Sequence, residues 1–183
     1  MIRNVVTSTL FPVVAFAAMA GVSAEATAAD REKQFFQSVE GKWSGPGEIV
    51  AGKYKGTKFI CNFTGAVPNG QTGMSLDGGC RVGVFTQKMS ANISRVGKKG
   101  YRGTFMDGAA GKGLDVVGGT VTGDRVVFAL NRKALNGAMQ ARLPDENTMK
   151  VTVSVKVEDQ MIPVIGMNLK RLDNNSVGSI AQE

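Results

Sequence analysis

Two cysteines are the side chains of this sequence whose type and spacing point most directly to a chemistry. Cys61 and Cys80 each lie on the apolar face of a stretch in which apolar and polar residues alternate. If a hairpin turns at Gly70-Gln71, Cys61 lies opposite Cys80, and Phe63 lies opposite Gly78. Directly opposed residues of neighbouring strands come close enough for a disulfide. The spacing therefore predicts a Cys61–Cys80 disulfide, with two buried free thiols as the alternative.

Histidine is absent from the 183 residues. Its absence excludes a Ser-His-Asp triad and removes the commonest general base and the commonest metal ligand. The sequence also contains no Gly-x-Ser-x-Gly motif, no phosphate-binding loop and no set of zinc ligands. We therefore predict that the protein is not an enzyme and has no catalytic residues, no metal site and no cofactor.

Basic residues dominate the charge, with 22 lysines and arginines against 15 aspartates and glutamates. Arg95, Lys98, Lys99 and Arg102 crowd one predicted hairpin tip around Tyr101. Such a basic surface attracts an anionic component of the cell envelope, although a solvated turn explains the same residues. Nucleic acid is not an expected partner, because the chain has the features of an exported protein and lacks interleaved aromatic residues.

Apolar and polar residues alternate from Gly41 to Leu172, which predicts antiparallel strands with one buried face. Three of the faces defined by this alternation are Phe59/Cys61/Phe63, Met74/Leu76/Cys80/Val82/Val84 and Met161/Ile165/Met167/Leu169. Turn signals between the runs are Pro68-Asn69-Gly70, Asp77-Gly78-Gly79, Gly97 to Gly100, Asp107-Gly108, Thr122 to Asp124, Asn136-Gly137 and Pro144 to Asn147. Counting the runs gives about ten strands.

The predicted fold is all-β: a single antiparallel up-and-down β-barrel over residues 30–173. Closure is expected because it removes exposed strand edges, and a β-sandwich is the alternative. Asp30 to Glu40 has near-helical spacing of apolar residues and predicts a short amphipathic helix that covers one end of the barrel.

Residues 1–29 have the features of a secretory signal peptide, with Arg3, an apolar run from Leu10 to Val22 and small residues before the cleavage site. The run is shorter than the about 20 apolar residues of a membrane span, so no integral membrane segment is expected after cleavage. Its alanine-rich style is typical of bacterial export, which predicts a periplasmic or secreted protein. Residues 174–183 are predicted to form a flexible tail.

A barrel of this strand number can hold one small ligand. Parity within each strand selects large apolar side chains for the inner face. The residues predicted to line the lumen are Phe59, Phe63, Met74, Leu76, Phe105, Phe128, Met139 and Met167.

Gly41-x-Trp43 after a short helix resembles the opening of lipocalins and other calycin barrels. The longer Gly41-x-Trp43-x-Gly45-x-Gly47 is similar to the nitrobindin branch, which consists of ten-stranded haem-binding barrels. The resemblance implies that Trp43 packs at the barrel base against an arginine of the last strand, here Arg171, and that Gly41, Trp43 and Arg171 close the barrel. It also implies a histidine that ligates haem, and the missing histidine excludes that ligand here.

Small periplasmic barrels that inhibit bacterial proteases are also similar to this chain. They open near a Gly-x-Trp and carry a disulfide between early strands, as Cys61 and Cys80 would. Here the cysteines lie farther from Trp43, and no distinctive inhibitory segment is present.

Taken together, these features predict an exported, non-catalytic binding protein, monomeric or dimeric, for a small hydrophobic or amphiphilic ligand. One alternative is an envelope structural or interaction protein with a solid core, which would work through its basic outer surface. A barrel that resembles the protease inhibitors is the other alternative.

Overall fold

The computed structural model describes residues 24–97, 100–106 and 114–172, with side chains from residue 28 onward. The elements are α1 (Ala24–Val39), β1 (Gly41–Ile49), β2 (Lys58–Ala66), β3 (Gly73–Val82), β4 (Phe85–Arg95), β5 (Tyr101–Met106), β6 (Leu114–Thr122), β7 (Arg125–Arg132), β8 (Leu135–Asp145), β9 (Thr148–Val157) and β10 (Gln160–Leu172). Within these ranges, no helix is both long enough and apolar enough to span a membrane. The predicted tail and residues 1–23 of the predicted signal peptide lie outside the described residues.

The ten strands form one closed barrel. Each strand pairs antiparallel with the next one in the chain, and β10 pairs with β1. The predicted all-β, up-and-down barrel is therefore confirmed, and the β-sandwich alternative is wrong. Helix α1 begins at Ala24 rather than at Asp30, because the alanine-rich segment 24–29 has a high helix propensity.

The barrel has two different ends, which we call the closed end and the mouth. Helix α1 leads into β1 at the closed end, where the described connecting residues are 67–72, 96–97, 100, 123–124 and 146–147. The described connections at the mouth are residues 50–57, 83–84, 133–134 and 158–159. Phe35, Phe36 and Val39 of the helix are buried, so α1 covers the closed end with its apolar face.

The β2–β3 hairpin has the predicted register. Cys61 pairs with Cys80, Phe63 pairs with Gly78, and the two cysteines form a disulfide. Asp77-Gly78-Gly79 was predicted as a turn but lies inside β3. Asn136-Gly137 likewise lies inside β8, and the β7–β8 turn is at residues 133–134. In both cases glycine belongs to a strand and not to a turn.

A β-bulge in β10 corrects the predicted inner face of that strand. The register between β10 and β9 shifts between Pro163 and Ile165. Beyond the bulge, Met161 pairs with Lys156 and shares its outward face. Because a bulge inserts one extra residue, it reverses the parity of everything that precedes it. The alternation predicts that Met161 and Met167 share one face of β10. The bulge places them on opposite faces.

Candidate functional site

The closed end is held by two side chains that bond to the last carbonyl groups of helix α1. Trp43 donates from its indole Nε1 to the carbonyl of Val39 at 2.8 Å. Arg171 donates from Nη2 to the carbonyl of Ser38 at 2.7 Å and from Nη1 to the carbonyl of Glu40. The last carbonyls of a helix have no partner within the helix, and its C-terminus attracts a positive charge. The helix has no basic residue in its own last turn, so β10 supplies the cation.

Arg171 also connects the last strand with the β8–β9 turn. Its guanidinium lies 4.2 Å from the centre of the Trp43 ring, and its Nε donates to the carbonyl of Glu146 at 2.8 Å. The turn is fixed in part by the backbone N–H of Asn147, which donates to the carboxylate of Asp145 and holds the pKa of that group below its usual value. One arginine thus joins helix, first strand, last strand and turn.

Gly41 is the residue at which the chain passes from the helix into β1 beneath this arginine. Its φ is +118°, a conformation that side-chain-bearing residues rarely adopt. A Cβ atom at this position would also lie 2.8 Å from Nη1 of Arg171. The backbone conformation therefore favours glycine here, and the absence of a side chain also leaves room for the guanidinium.

An aromatic cluster forms the floor of the lumen. Phe36, Trp43, Tyr101 and Phe128 are almost fully buried. The ring centres of Phe36 and Tyr101 are 5.4 Å apart, and those of Tyr101 and Phe128 are 5.6 Å apart, which is the usual range for aromatic pairs. Helix α1 thus contributes a ring to a floor that the strands complete.

Tyr101 links this floor to the surface. Its hydroxyl donates to the carboxylate of Glu32 at 2.8 Å, and the same carboxylate forms an ion pair with Arg95. Burial raises the pKa of the Tyr101 phenol, and the hydrogen bond to Glu32 raises it further. The phenol is therefore held neutral, as a hydrogen-bond donor to the helix.

The predicted basic cluster is only partly a free surface. Arg95 is paired with Glu32, and Arg102 donates from Nη1 to the carbonyl of Tyr101 at 2.8 Å. Lys98 and Lys99 lie outside the described residues. The two described members of the cluster therefore have contacts within the protein itself.

The lumen above the floor is nearly filled. Only about 50 Å³ is empty there, which is little more than the volume of one or two water molecules. Of the residues predicted to line the lumen, those around this void are Phe63, Met74, Leu76, Phe105, Phe128, Met139 and Met167. The remaining one, Phe59, packs against the same core.

A second cavity, of about 280 Å³, occupies the half of the lumen nearer the mouth. Phe59, Phe105 and Met167 line it, as do residues that the sequence analysis did not select: Ile49, Val82, Met89, Leu114, Leu130, Val153 and Ile165. Val82 and Ile165 belong to predicted inner faces, so parity alone could have identified them. Much of this wall consists of aliphatic side chains, whereas most of the residues predicted to line the lumen are aromatic residues and methionines.

Sulfur atoms line one side of this cavity. The disulfide sulfur of Cys61 lies 3.7 Å from the thioether of Met167, and that of Cys80 lies 3.4 Å from the thioether of Met89. Cys61 is completely buried. The disulfide thus belongs to the wall of the lumen, where it fixes the β2–β3 hairpin beside polarizable apolar groups.

A larger depression lies on the outside of the barrel. It measures about 870 Å³, is open to solvent, and has Glu48, Lys58, Arg81 and Lys150 along its sides. Its mixed charges and open shape differ from the enclosed apolar sites that usually hold small molecules. We therefore take the lumen as the candidate site. The described residues contain no group of three or more histidine, cysteine, aspartate or glutamate side chains that could hold a metal ion.

Comparison with known proteins identifies the fold only. No protein-family model matches the chain, and no curated protein matches it significantly. Among solved structures, the chain is similar to the crystal structure of Rv2717c from M. tuberculosis, with a TM-score of 0.57 and 12% sequence identity. The alignment covers 78% of this chain and 98% of that one.

Replacing Arg171 tests the closure of the barrel. We expect Arg171→Ala to lower the free energy of unfolding by about 1–2 kcal/mol, because it removes the contact with Trp43 and three hydrogen bonds to exposed carbonyls, which water replaces only in part. Arg171→Lys keeps the charge but loses the planar fork, so it should recover only a minor part of the loss. Urea denaturation measures both values. An alanine variant as stable as the wild type would contradict this role.

Replacing Tyr101 by phenylalanine tests the raised pKa. A group whose pKa is raised by folding contributes stability that is complete below its unfolded pKa, about 10 for tyrosine, and is lost as the pH rises through the folded value. We therefore expect the wild type to lose stability above about pH 10 more steeply than Tyr101→Phe. Urea denaturation across this range compares them. Parallel pH profiles would show that the phenol is not held neutral by the fold.

Proposed function

We propose that the protein is an exported, non-catalytic binding protein for a small hydrophobic or amphiphilic ligand. The observation that carries this proposal is the 280 Å³ cavity, whose wall is almost entirely apolar and which lies above a floor sealed by aromatic side chains. Burial of apolar surface would supply most of the affinity. The mouth half of the lumen would be the site, since the other half is occupied by the protein's own side chains.

The size of the cavity limits the ligand. An apolar cavity of about 150 Å³ can hold benzene, so this one would accept about a dozen non-hydrogen atoms. Gln87 lines the cavity, and Arg132 shares the inward face of β7 with Leu130, one step nearer the mouth. An amphiphile would place its chain against the aliphatic wall and its polar group beside these two side chains.

Export is part of the proposal. The disulfide fits an oxidising compartment such as the periplasm or the extracellular space. The predicted signal peptide supports the same localisation. We further propose that the barrel belongs with the calycins, on the basis of Gly41-x-Trp43 and Arg171, and that it uses no haem and no other cofactor.

The alternative functions gain less support. An envelope interaction protein would work through residues 95–102, but Arg95 and Arg102 have contacts within the protein. A role like that of the protease inhibitors has no feature in its favour beyond the Gly-x-Trp opening and the disulfide. Both alternatives predict that the lumen takes up no ligand.

Decanoate is a suitable probe, because it has an apolar chain, an anionic head and about the size that the cavity accepts. We expect isothermal titration calorimetry to show saturable binding with a negative heat-capacity change. Val82→Trp should weaken binding at least about tenfold by filling the mouth of the cavity. Val96→Trp is the matched control: this valine is about equally exposed, 44% against 42%, but lies at the closed end.

Two results would contradict the proposal. One is the absence of any decanoate binding to the wild type, and the other is equal weakening by both tryptophan substitutions. Native mass spectrometry of protein from its own source is an independent check: a retained small apolar molecule would support the proposal, and an empty barrel would support the structural alternative.

A further inference from the structure

Large exposed apolar side chains cluster at the mouth of the barrel. Val84, Phe85 and Tyr54 are exposed by 89%, 79% and 63%. The other such residues in or next to the mouth connections are Val50, Val82, Met106, Leu135, Val157 and Met161. Elsewhere in the described part of the chain, only Ile60 and Val117 on the wall and Val96 and Leu172 at the closed end have this character. The mouth is therefore far more apolar than the opposite end.

The exposed apolar residues at the mouth are continuous with the apolar lining of the lumen. Val82 lines the 280 Å³ cavity and pairs directly with Phe85, so the two share one face of the β3–β4 hairpin. Val84 was predicted to lie on the inner face of a strand, but it forms the tip of this hairpin beside Gly83, whose φ is +56°. The hairpin thus exposes three large apolar residues at the mouth: Val82 before Gly83, and Val84 and Phe85 after it.

Lysines accompany these apolar tips. Lys53 and Lys55 flank Tyr54 in the connection 50–57, which contains no acidic residue, and Lys53 lies 5.4 Å from the tyrosine ring centre. Lys133 stands at the tip of the β7–β8 turn, and all three lysines are exposed. The acidic residues of the described mouth connections are Glu158 and Asp159 in the β9–β10 turn; both are exposed, and Asp159 lies 3.8 Å from Lys156. Apolar side chains beside lysines match the chemistry of an anionic lipid surface.

Lys133 also occupies a costly backbone conformation. Its φ is +53°, a region that glycine enters without strain and that a lysine enters at a cost. Glu158 in the β9–β10 turn has the same conformation, with a φ of +54°, so the backbone does not by itself select a positive charge. It does make Lys133 a position where glycine can replace the charge without straining the turn.

We propose that the mouth of the barrel docks on an anionic phospholipid bilayer, with Val84, Phe85 and Tyr54 entering the interface and Lys53, Lys55 and Lys133 contacting lipid phosphates. A second copy of the chain fits this surface less well, because two mouths face to face would oppose like charges. Docking does not depend on an occupied lumen. That a docked barrel draws an amphiphile directly from the bilayer rests on the proposed function.

Flotation of the purified protein with phospholipid vesicles tests the docking. We expect binding to vesicles of one part phosphatidylglycerol to three parts phosphatidylcholine, and at least about tenfold weaker binding to phosphatidylcholine alone. The double variant Val84→Ser/Phe85→Ser should lose at least about tenfold in affinity. Val96→Ser/Leu172→Ser, which removes exposed apolar residues at the closed end, should bind as the wild type does.

Lys133→Gly tests whether the charge of Lys133 contributes to membrane binding independently of the stability of the fold. It should weaken binding to the anionic vesicles about fivefold, while the urea midpoint stays the same or rises, because the substitution relieves the backbone. Binding by the wild type should also fall with added salt.

Several results would overturn the docking proposal. They are no flotation with anionic vesicles at low salt, equal losses in the mouth and closed-end variants, and a dimer that the mouth substitutions dissociate in analytical ultracentrifugation. Decanoate titration of Val84→Ser/Phe85→Ser distinguishes the two proposals. Neither residue lines the cavity, so this variant should bind decanoate as the wild type does. Decanoate binding without flotation would leave the proposed function standing and refute docking, and flotation without decanoate binding would do the reverse.

Discussion

The rest of the structure depends on how the last carbonyl groups of helix α1 find donors. Ser38 and Val39 end the helix and Glu40 follows it, and their three carbonyls accept hydrogen bonds from Trp43 and Arg171. Trp43 lies four residues from Val39 and donates to its carbonyl in the buried interior. Arg171 comes from the last strand, which lies beside the first strand only when the barrel is closed. Closing the sheet therefore adds the Arg171 bonds to the exposed carbonyls of Ser38 and Glu40, at a helix end that Trp43 already holds.

This arrangement explains why the two halves of the lumen differ. The helix brings Phe35, Phe36 and Val39 into the closed end, where they pack with Trp43 and the ring of Tyr101. No corresponding plug covers the mouth among the described residues, and the apolar wall continues there around empty space. The same chain segment that stabilises the barrel thus determines which half remains available to a ligand. Along the barrel axis, the contacts that stabilise the fold lie at the closed end, and the proposed binding space lies at the mouth.

Much of the fold could be predicted from local pattern. Alternation gave the inner faces, and the opposition of Cys61 and Cys80 followed from one hairpin turn. Glycine misled the assignment at Gly78, since a Cβ there would lie 2.0 Å from the carbonyl oxygen of Asn62, and this close approach, rather than a turn, requires glycine. Pro163 was an overlooked signal, because a proline inside a sheet often marks a bulge. The bulge between Pro163 and Ile165 moves Met161 outward, whereas Pro46 lies in β1 without a register shift.

The cavity could not be predicted in the same way. The volume of the cavity is the small difference between the volume that the strands enclose and the volume of the side chains inside. The alternation of residues along each strand identifies these side chains, but it does not give either volume. The Glu32 contacts of Tyr101 and Arg95 were equally hidden, because they join residues far apart in sequence through packing of the helix. Sequence periodicity determines which side of a strand is buried, but not how tightly the buried sides meet.

Methyl NMR of the methionines, recorded as decanoate is added, tests the central claim most directly. Met89 and Met167 line the cavity near the mouth, whereas Met74 and Met149 line only the small void above the floor. The account predicts that the methyl signals of Met89 and Met167 shift and saturate, while those of Met74 and Met149 keep their positions. Equal shifts in both pairs, or no shift in either at high decanoate concentration, would contradict a barrel whose binding space lies only at its mouth.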